Sequence, residues 1–243
     1  MYTKTARIYD DLYSFKDYPA MARHLIEIID TYHPGAESVL EVACGTGQFL
    51  RYLRQRFHVE GLDINPDMLE VAAEYCPEIP LHHFDMVDFS IAHRFDVIAC
   101  LFSSIAYVKT VERMQCAIVQ MTRHLNTGGL LLVEPYFTPE TCWKDDLRLN
   151  VSDRPDLKIA WMYLTEVHGK LAVADIHYLV GRSTGVEHLT ERHELGLFTD
   201  TEYRDAMERV GLNVSYDATG VSGRGLYIGI SPLRAQGAGN TNG

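Results

Sequence analysis

The five cysteines (Cys44, Cys76, Cys100, Cys116 and Cys142) contain no C-x-x-C pair, and their number is odd. A disulfide framework or a zinc site therefore has nothing to start from. Cys44, Cys100 and Cys116 stand among apolar neighbours and read as small buried hydrophobes in a reducing compartment. Long apolar runs are also missing: nothing approaches the roughly 20 residues of a membrane span. The opening M-Y-T-K-T-A-R-I-Y-D has no signal-peptide core, so no membrane and a cytoplasmic location are expected. Positive charge is scarce, with 22 Lys and Arg against 33 Asp and Glu and a net charge of −11. A nucleic-acid partner, which asks for a basic face, is not expected. His82, His83, His168, His177, His188 and His193 show no metal-ligand spacing and read as solvent-face or meander residues, so no metal is expected. Repeats and low-complexity stretches are absent until the last residues, 232–243, which read as a disordered tail.

What the chain does have is concentrated at Val39 to Leu50, V-L-E-V-A-C-G-T-G-Q-F-L. A β-branched run meets a Gly-x-Gly turn and an amphipathic segment, giving strand, tight turn and helix start. Gly45 and Gly47 permit a backbone path and a close ligand approach that a Cβ would obstruct. A helix entered near Gln48 and running to about Arg56 would point free N–H groups above that turn. H-V-E-G-L-D then forms a second strand ending at Asp63, where a βαβ nucleotide fold places its ribose-binding acid. N-P-D-M-L-E-V-A-A follows with Asn65 as N-cap and Pro66 in the first turn.

A short third strand precedes Asp85, and D-V-I-A-C-L-F-S-S is a buried fourth. A helix over 111–125 ends at N-T-G-G, and G-L-L-L-V-E-P is a fifth strand. Strands alternating with helices predict an open, mostly parallel α/β sheet. Its ligands belong at the carboxyl ends of the strands, where Gly45, Asp63, Asp85, Ser103 and Glu134 all fall.

After Tyr136 the rhythm changes. Residues 157–167, 171–180 and 186–197 read as three antiparallel strands of an inserted meander, which would cover the substrate or build a dimer. The first domain returns with a helix capped by Thr199 or Asp200 and two closing strands around V-S-G-R-G. The expected organisation is 1–135 as the nucleotide-binding unit with an N-terminal lid, 136–197 as the β insertion, and 198–231 as the return. The lid segment carries Tyr9, Tyr13 and Tyr18, read either as packing residues or as phenols over a ligand.

Leu50 occupies the third glycine position of a dehydrogenase fingerprint, and a Walker G-K-[ST] is absent. E-V-A-C-G-T-G followed by Asp63 and Asp85 instead resembles the class I S-adenosylmethionine-dependent methyltransferases, with a Rossmann-like seven-stranded sheet. The further set D-M-L, D-M-V-D-F, L-F-S-S-I-A-Y, V-E-P and S-G-R-G-L is similar to the N,N-dimethyltransferases of dTDP-3-amino-3,6-dideoxyhexoses. Those enzymes make the dimethylamino sugars of macrolides, such as desosamine and mycaminose. The likeness runs from about Tyr9 to Ile230. It departs at Asp63, where relatives commonly have Glu, at Tyr136-Phe137, where they have two tryptophans, and in a shorter N-terminal segment.

The resemblance implies S-adenosylmethionine as cofactor, S-adenosylhomocysteine as product, a dTDP-linked amino sugar as acceptor, and a homodimer. For the cofactor it points to Tyr18, Glu41, Ala43, Gly45, Gly47, Asp63, Met68, Asp85, Met86 and Phe102. Tyr9, Tyr13 and Tyr107 are candidates for orienting the amine or taking its proton. Ser103, Ser104, Glu134, Tyr136, Ser222 and Arg224 are candidates for the substrate. Arg224 between two glycines suits a pyrophosphate, or is a surface arginine; Glu134 either touches substrate or caps a neighbouring element. Two other readings stand beside this one: an N- or O-methyltransferase of another small natural product, and a non-catalytic cofactor-binding protein.

Overall fold

The computed structural model describes residues 5–143 and 147–233. Its strands are β1 (Ser38–Val42), β2 (His58–Asp63), β3 (Leu81–His83), β4 (Phe95–Cys100), β5 (Leu125–Val133), β6 (Leu147–Asp153), β7 (Lys158–His168), β8 (Leu171–Arg182), β9 (Gly185–Gly196), β10 (Asn213–Asp217) and β11 (Leu226–Ile230). Seven make one sheet in the order β10-β11-β5-β4-β1-β2-β3, and β6 to β9 make a second. The pairs β1–β2, β1–β4, β2–β3 and β4–β5 are parallel; β11 joins antiparallel to β5, and β10 antiparallel to β11. The expected mostly parallel α/β sheet with an antiparallel insertion is what forms.

The helices are α1 (Tyr9–Leu12), α2 (Tyr18–Tyr32), α3 (Leu50–Leu53), α4 (Pro66–Tyr75), α5 (Val111–Arg123) and α6 (Asp200–Arg209). Strand alternation sends Val39, Val97, Ala99 and Leu130 into a core with α2 and α3, while Leu40, Val42, Ile98 and Leu131 pack with α5 and α6. Two apolar layers therefore clamp the sheet, as its side-chain period of two requires. The caps fall where the short polar residues stand. Asn65 accepts from Asp67 N at 2.9 Å, and Thr199 with Glu202 completes a capping box. Among the described residues no helix is long and apolar enough to cross a membrane.

Four details depart from the sequence expectation. The insertion has four strands, because β6 (L-R-L-N-V-S-D) alternates in reverse. Its Leu147, Leu149 and Val151 face outward at 63%, 59% and 65% exposure, while Arg148 and Asn150 turn inward to a cavity. The helix after the glycine turn is only Leu50–Leu53, since β2 already begins at His58; a single turn contributes little dipole. The N-T-G-G run does not end α5 but lies inside β5. Phe95 pairs with Leu125 and Val97 with Leu130, so the extra residues loop out as a bulge held by Asn126 Nδ2 on Asp96 Oδ1 at 2.7 Å. Cys116 is exposed on α5, whereas Cys44, Cys76, Cys100 and Cys142 are buried. The tail expected over 232–243 lies, from residue 234, outside the described residues.

Candidate active site

Strand order reverses between β1 and β4, and the turns after these two strands open a crevice there. Above it lies a cavity of about 710 Å³. The first wall is the sheet's carboxyl edge: Glu41 near the end of β1 with Ala43 to Gly45 after it, Leu101 to Ser104 after β4, and Val221, Ser222 and Arg224 of the loop before β11. The second wall is the inner face of the small sheet, with Trp161, Tyr163 and His193. The N-terminal segment closes the gap between them with Tyr9, Tyr13 and Lys16. Its Ile8 and Leu12 pack on Ile159, Trp161 and Ile176 of the small sheet. Asp10 Oδ1 accepts from Thr46 Oγ1 at 2.7 Å, fastening the same segment to the glycine turn.

The sheet wall is rigid because its polar groups are bound internally. Asp63 accepts from Gly45 N and from Asn65 N, each at 2.8 Å, so the acid at the end of β2 shapes the glycine turn. Glu134 is fully buried, accepts from Phe102 N at 2.7 Å and Ser222 N at 3.1 Å, and is also bound by the Ser222 hydroxyl. Of the two roles open to Glu134, the geometry displays the bracing one: it ties the β4 turn to the S-G-R-G loop. Ser103 Oγ donates to Pro135 O at 2.6 Å. Ala43, Phe102 and Ser103 hold φ of 59°, 50° and 60°, a left-handed conformation uncommon for residues with a Cβ. Three such residues at one rim mark a strained, over-determined site. At Gly45, φ is 55° and nothing lies within 4 Å of where a Cβ would stand, so the turn offers open space to a ligand.

Two buried polar atoms at this end have no hydrogen-bond partner among the described residues: Glu41 Oε2 and Tyr18 Oη. Burial, and then Asp63, raise the Glu41 carboxyl well above its usual range. The Tyr18 ring packs edge-on against Phe49 and Phe102, at 5.9 and 5.6 Å between centroids. An acceptor and a donor left over at the same end of the cavity fit the ammonium and carboxylate of an amino-acid zwitterion.

Cations line the same cavity. The Arg224 guanidinium lies over the rings of Phe137 and Tyr136, at 4.6 and 5.6 Å. Lys16 Nζ stands 3.7 Å from the centre of Phe102 and 4.5 Å from that of Tyr13. Burial lowers its pKa to about 8, with Arg224 adding to the fall and Glu134 opposing it.

A Methyltransferase domain model matches residues 39–129. The chain is 34% identical to the dTDP-3-amino-3,4,6-trideoxy-alpha-D-glucopyranose N,N-dimethyltransferase of Streptomyces venezuelae, over 93% of this chain and 97% of that one. It is equally identical to the dTDP-4-amino-2,3,4,6-tetradeoxy-D-glucose N,N-dimethyltransferase of Saccharopolyspora spinosa, over 93% and 92%. This chain belongs to the dTDP-amino-sugar N,N-dimethyltransferase family. The crystal structure of Streptomyces venezuelae DesVI superposes with a TM-score of 0.90 at 34% identity, covering 95% of this chain and 99% of that one. SAM-bound CalS10, an amino pentose methyltransferase from Micromonospora echinaspora, gives 0.85 at 30%, covering 92% and 96%. The protein is an S-adenosylmethionine-dependent methyltransferase, and the Glu41 and Tyr18 atoms suit the amino-acid end of that cofactor.

The cavity brings together Tyr9, Tyr13, Tyr18, Glu41, Ala43, Gly45, Phe102, Ser103, Ser104, Tyr107, Tyr136, Ser222 and Arg224 from the sequence candidates. Gly47, Asp63, Met68, Asp85, Met86 and Glu134 do not line it. Met68 and Met86 are buried, and Asp85 is paired with Arg113 at 2.8 Å. Sequence reasoning missed Lys16, whose only signal is a lone cation inside a tyrosine-rich segment. His193 lies in the meander as expected, but at 3% exposure it also lines the cavity, which the sequence reading did not anticipate. The signal was the period of two in β9, which puts Glu191, His193 and Leu195 on one face.

Proposed function

We propose that the enzyme transfers two methyl groups in turn to the amino group of a dTDP-linked amino deoxysugar. The observation that carries this reading is the content of one cavity: leftover acid and phenol by the glycine turn, a guanidinium on the S-G-R-G loop, and a lysine with two tyrosines on the N-terminal segment. S-adenosylmethionine supplies an electrophilic methyl whose sulfonium already bears the charge. The protein's task is to align a neutral amine and exclude water, and such positioning is worth roughly 7–11 kcal/mol of barrier.

In this reading Glu41 and Tyr18 hold the amino-acid end of the cofactor, with Ala43 and Gly45 giving close backbone approach. Gly47 and Asp63 fix the turn that carries the ribose, and Met68, Asp85 and Met86 lie towards the adenine. Tyr9, Tyr13 and Tyr107 surround the amine. Arg224 and Lys16 hold the diphosphate, with Ser104, Tyr136 and Ser222 beside it. Relatives of equal identity are named for amines at carbon 3 and carbon 4, so the acceptor is assayed as a series.

Mass spectrometry of purified enzyme with S-adenosylmethionine and dTDP-3-amino or dTDP-4-amino deoxysugars should give sequential gains of one and two methyl groups. Turnover of the amino sugar without its nucleotide, at undiminished efficiency, would reject the diphosphate reading in favour of another small acceptor.

The same proposal includes a homodimer. Leu147, Leu149 and Val151 of β6 register with Leu164, Met162 and Ala160 of β7, giving an apolar patch on the outer face of these two strands. A second copy laid on that face would cover it.

A further inference from the structure

Behind Tyr107 the small sheet holds an acid–base chain that alignment of the amine does not use. Tyr107 lies on the 3-10 turn Ser104–Val108, and its hydroxyl is 2.8 Å from His193 Nδ1 on β9. His193 Nε2 faces Glu191 Oε2 at 3.7 Å, and that oxygen accepts from Thr5 Oγ1 at 2.7 Å. Thr5, Glu191 and His193 are all buried, while Tyr107 and the edge of His193 line the cavity. A carboxylate this deep is costly unless donors converge on it. Protonated at Nε2, on the Glu191 side, the imidazole would present Nδ1 to accept the Tyr107 O–H.

We propose that Tyr107, His193 and Glu191 form a relay that removes the proton from the acceptor nitrogen after each methyl transfer. The inference rests on the amino-sugar reading, in which one nitrogen reacts twice. Each transfer leaves that nitrogen as an ammonium, and its lone pair returns only when an N–H proton departs. That proton passes to the Tyr107 oxygen while the phenol's own proton passes to His193 Nδ1, and the imidazolium is held against Glu191. On release the proton returns through Tyr107 to water, so one proton leaves per methyl added.

Burial lowers the His193 pKa against the pull of Glu191, which keeps the ring neutral and able to accept. Among the described residues, the titratable groups facing this chain include the phenols Tyr9, Tyr13, Tyr163 and Tyr178. Burial raises the pKa of Tyr9 and Tyr178, so these remain protonated.

The test is His193→Asn, whose amide oxygen keeps an acceptor near the Nδ1 position but takes up no proton. We expect kcat to fall about a hundredfold at neutral pH, the low end of general acid–base contributions, with substrate KM within about threefold. Cofactor affinity by calorimetry should be unchanged. The deficit should shrink towards about pH 9, where more amine is free. Tyr107→Phe should behave alike, and the double variant should be no worse than either single one. A kcat within a few-fold of wild type, a deficit constant with pH, or a parallel loss of cofactor binding would overturn the relay.

If the wild type methylates no dTDP-amino sugar, the substrate reading falls, and the relay is judged by 15N NMR of labelled histidine in the cofactor-bound enzyme. A neutral ring protonated at Nε2, with an Nδ1 signal that moves in Tyr107→Phe, supports it. An Nδ1–H tautomer, or a ring already charged at neutral pH, overturns it.

Discussion

On the sheet side of the cavity, Asp63, Ser103 and Glu134 give their oxygens to partners within the protein. On the opposite side, Trp161, Tyr163 and His193 of the small sheet line open space, joined by Tyr9, Tyr13 and Lys16 of the N-terminal segment. The first wall is buried on both faces and clamped between two helical layers. The second is a four-stranded sheet with one face on the cavity and an outer face that is apolar on β6 and β7 and polar on β8 and β9, where Arg192 pairs with Asp175. The division follows from what each must do. In the proposed reading the first wall holds the donor in one geometry and also brings Arg224 to the acceptor, while the second wall faces the acceptor across the cavity.

Removing a brace from the rigid wall should have the largest effect. Glu134→Ala orphans Phe102 N and Ser222 N, at roughly 1–3 kcal/mol for each unsatisfied buried group. We expect a loss of about 2–4 kcal/mol in urea unfolding, together with loss of cofactor binding, because the β4 turn and the S-G-R-G loop separate. A variant of unchanged stability would mean the two loops are held by something other than Glu134.

The cationic end should respond next, and only through the acceptor. Arg224→Ala removes a fork donor and should raise KM for a diphosphate substrate by about 10–100-fold, from the roughly 1.5–3 kcal/mol of a charged hydrogen bond. Lys16→Met should act in the same direction and less strongly. The pH dependence separates the two. The Lys16 ammonium, with Tyr13, Glu134 and Arg224 around it, is lost as pH rises through about 8. Wild-type KM should therefore climb above that pH, and the climb should vanish in Lys16→Met. Stability runs the other way: the native state sheds the proton more readily than the unfolded chain, so that penalty is relieved between about 8 and the ordinary 10.5. A wild-type KM flat across this window would exclude Lys16 from the diphosphate.

How much of each wall was legible in the sequence follows the same division. Buried parallel strands leave apolar runs, and a tight turn leaves glycines. Hence Gly45, Asp63 and the mostly parallel character of the sheet could be read from local pattern. The small sheet obscures itself. In β6 the apolar residues face outward and Arg148 and Asn150 inward, so the usual alternation points the wrong way. His193 becomes part of the site only because β9 pairs with β8 and brings it to Tyr107, 86 positions away. Lys16 reaches Phe102 by a fold-back of the N-terminal segment that no short-range pattern encodes. Even Glu134, placed correctly at a strand end, had two chemical roles open until Ser222 was seen beside it.

The smallest effect is expected where the second wall turns its back on the chemistry. Leu149 is 59% exposed on β6 and registers with Met162, 41% exposed on β7. Leu149→Lys puts a charge into the centre of that apolar face without touching the cavity, since side chains on one strand alternate between faces. If a second copy covers this face, light scattering should report a shift from dimer towards monomer, with melting temperature and kcat little changed in excess substrate. A monomeric wild type would sink the pairing outright. A variant still dimeric at micromolar concentration would move the contact to another surface and leave the outer face of the small sheet to some other cover. Either result bears on the comparison of the two walls, because a cavity wall stiffened by a neighbouring copy would be as pre-organised as the parallel sheet opposite.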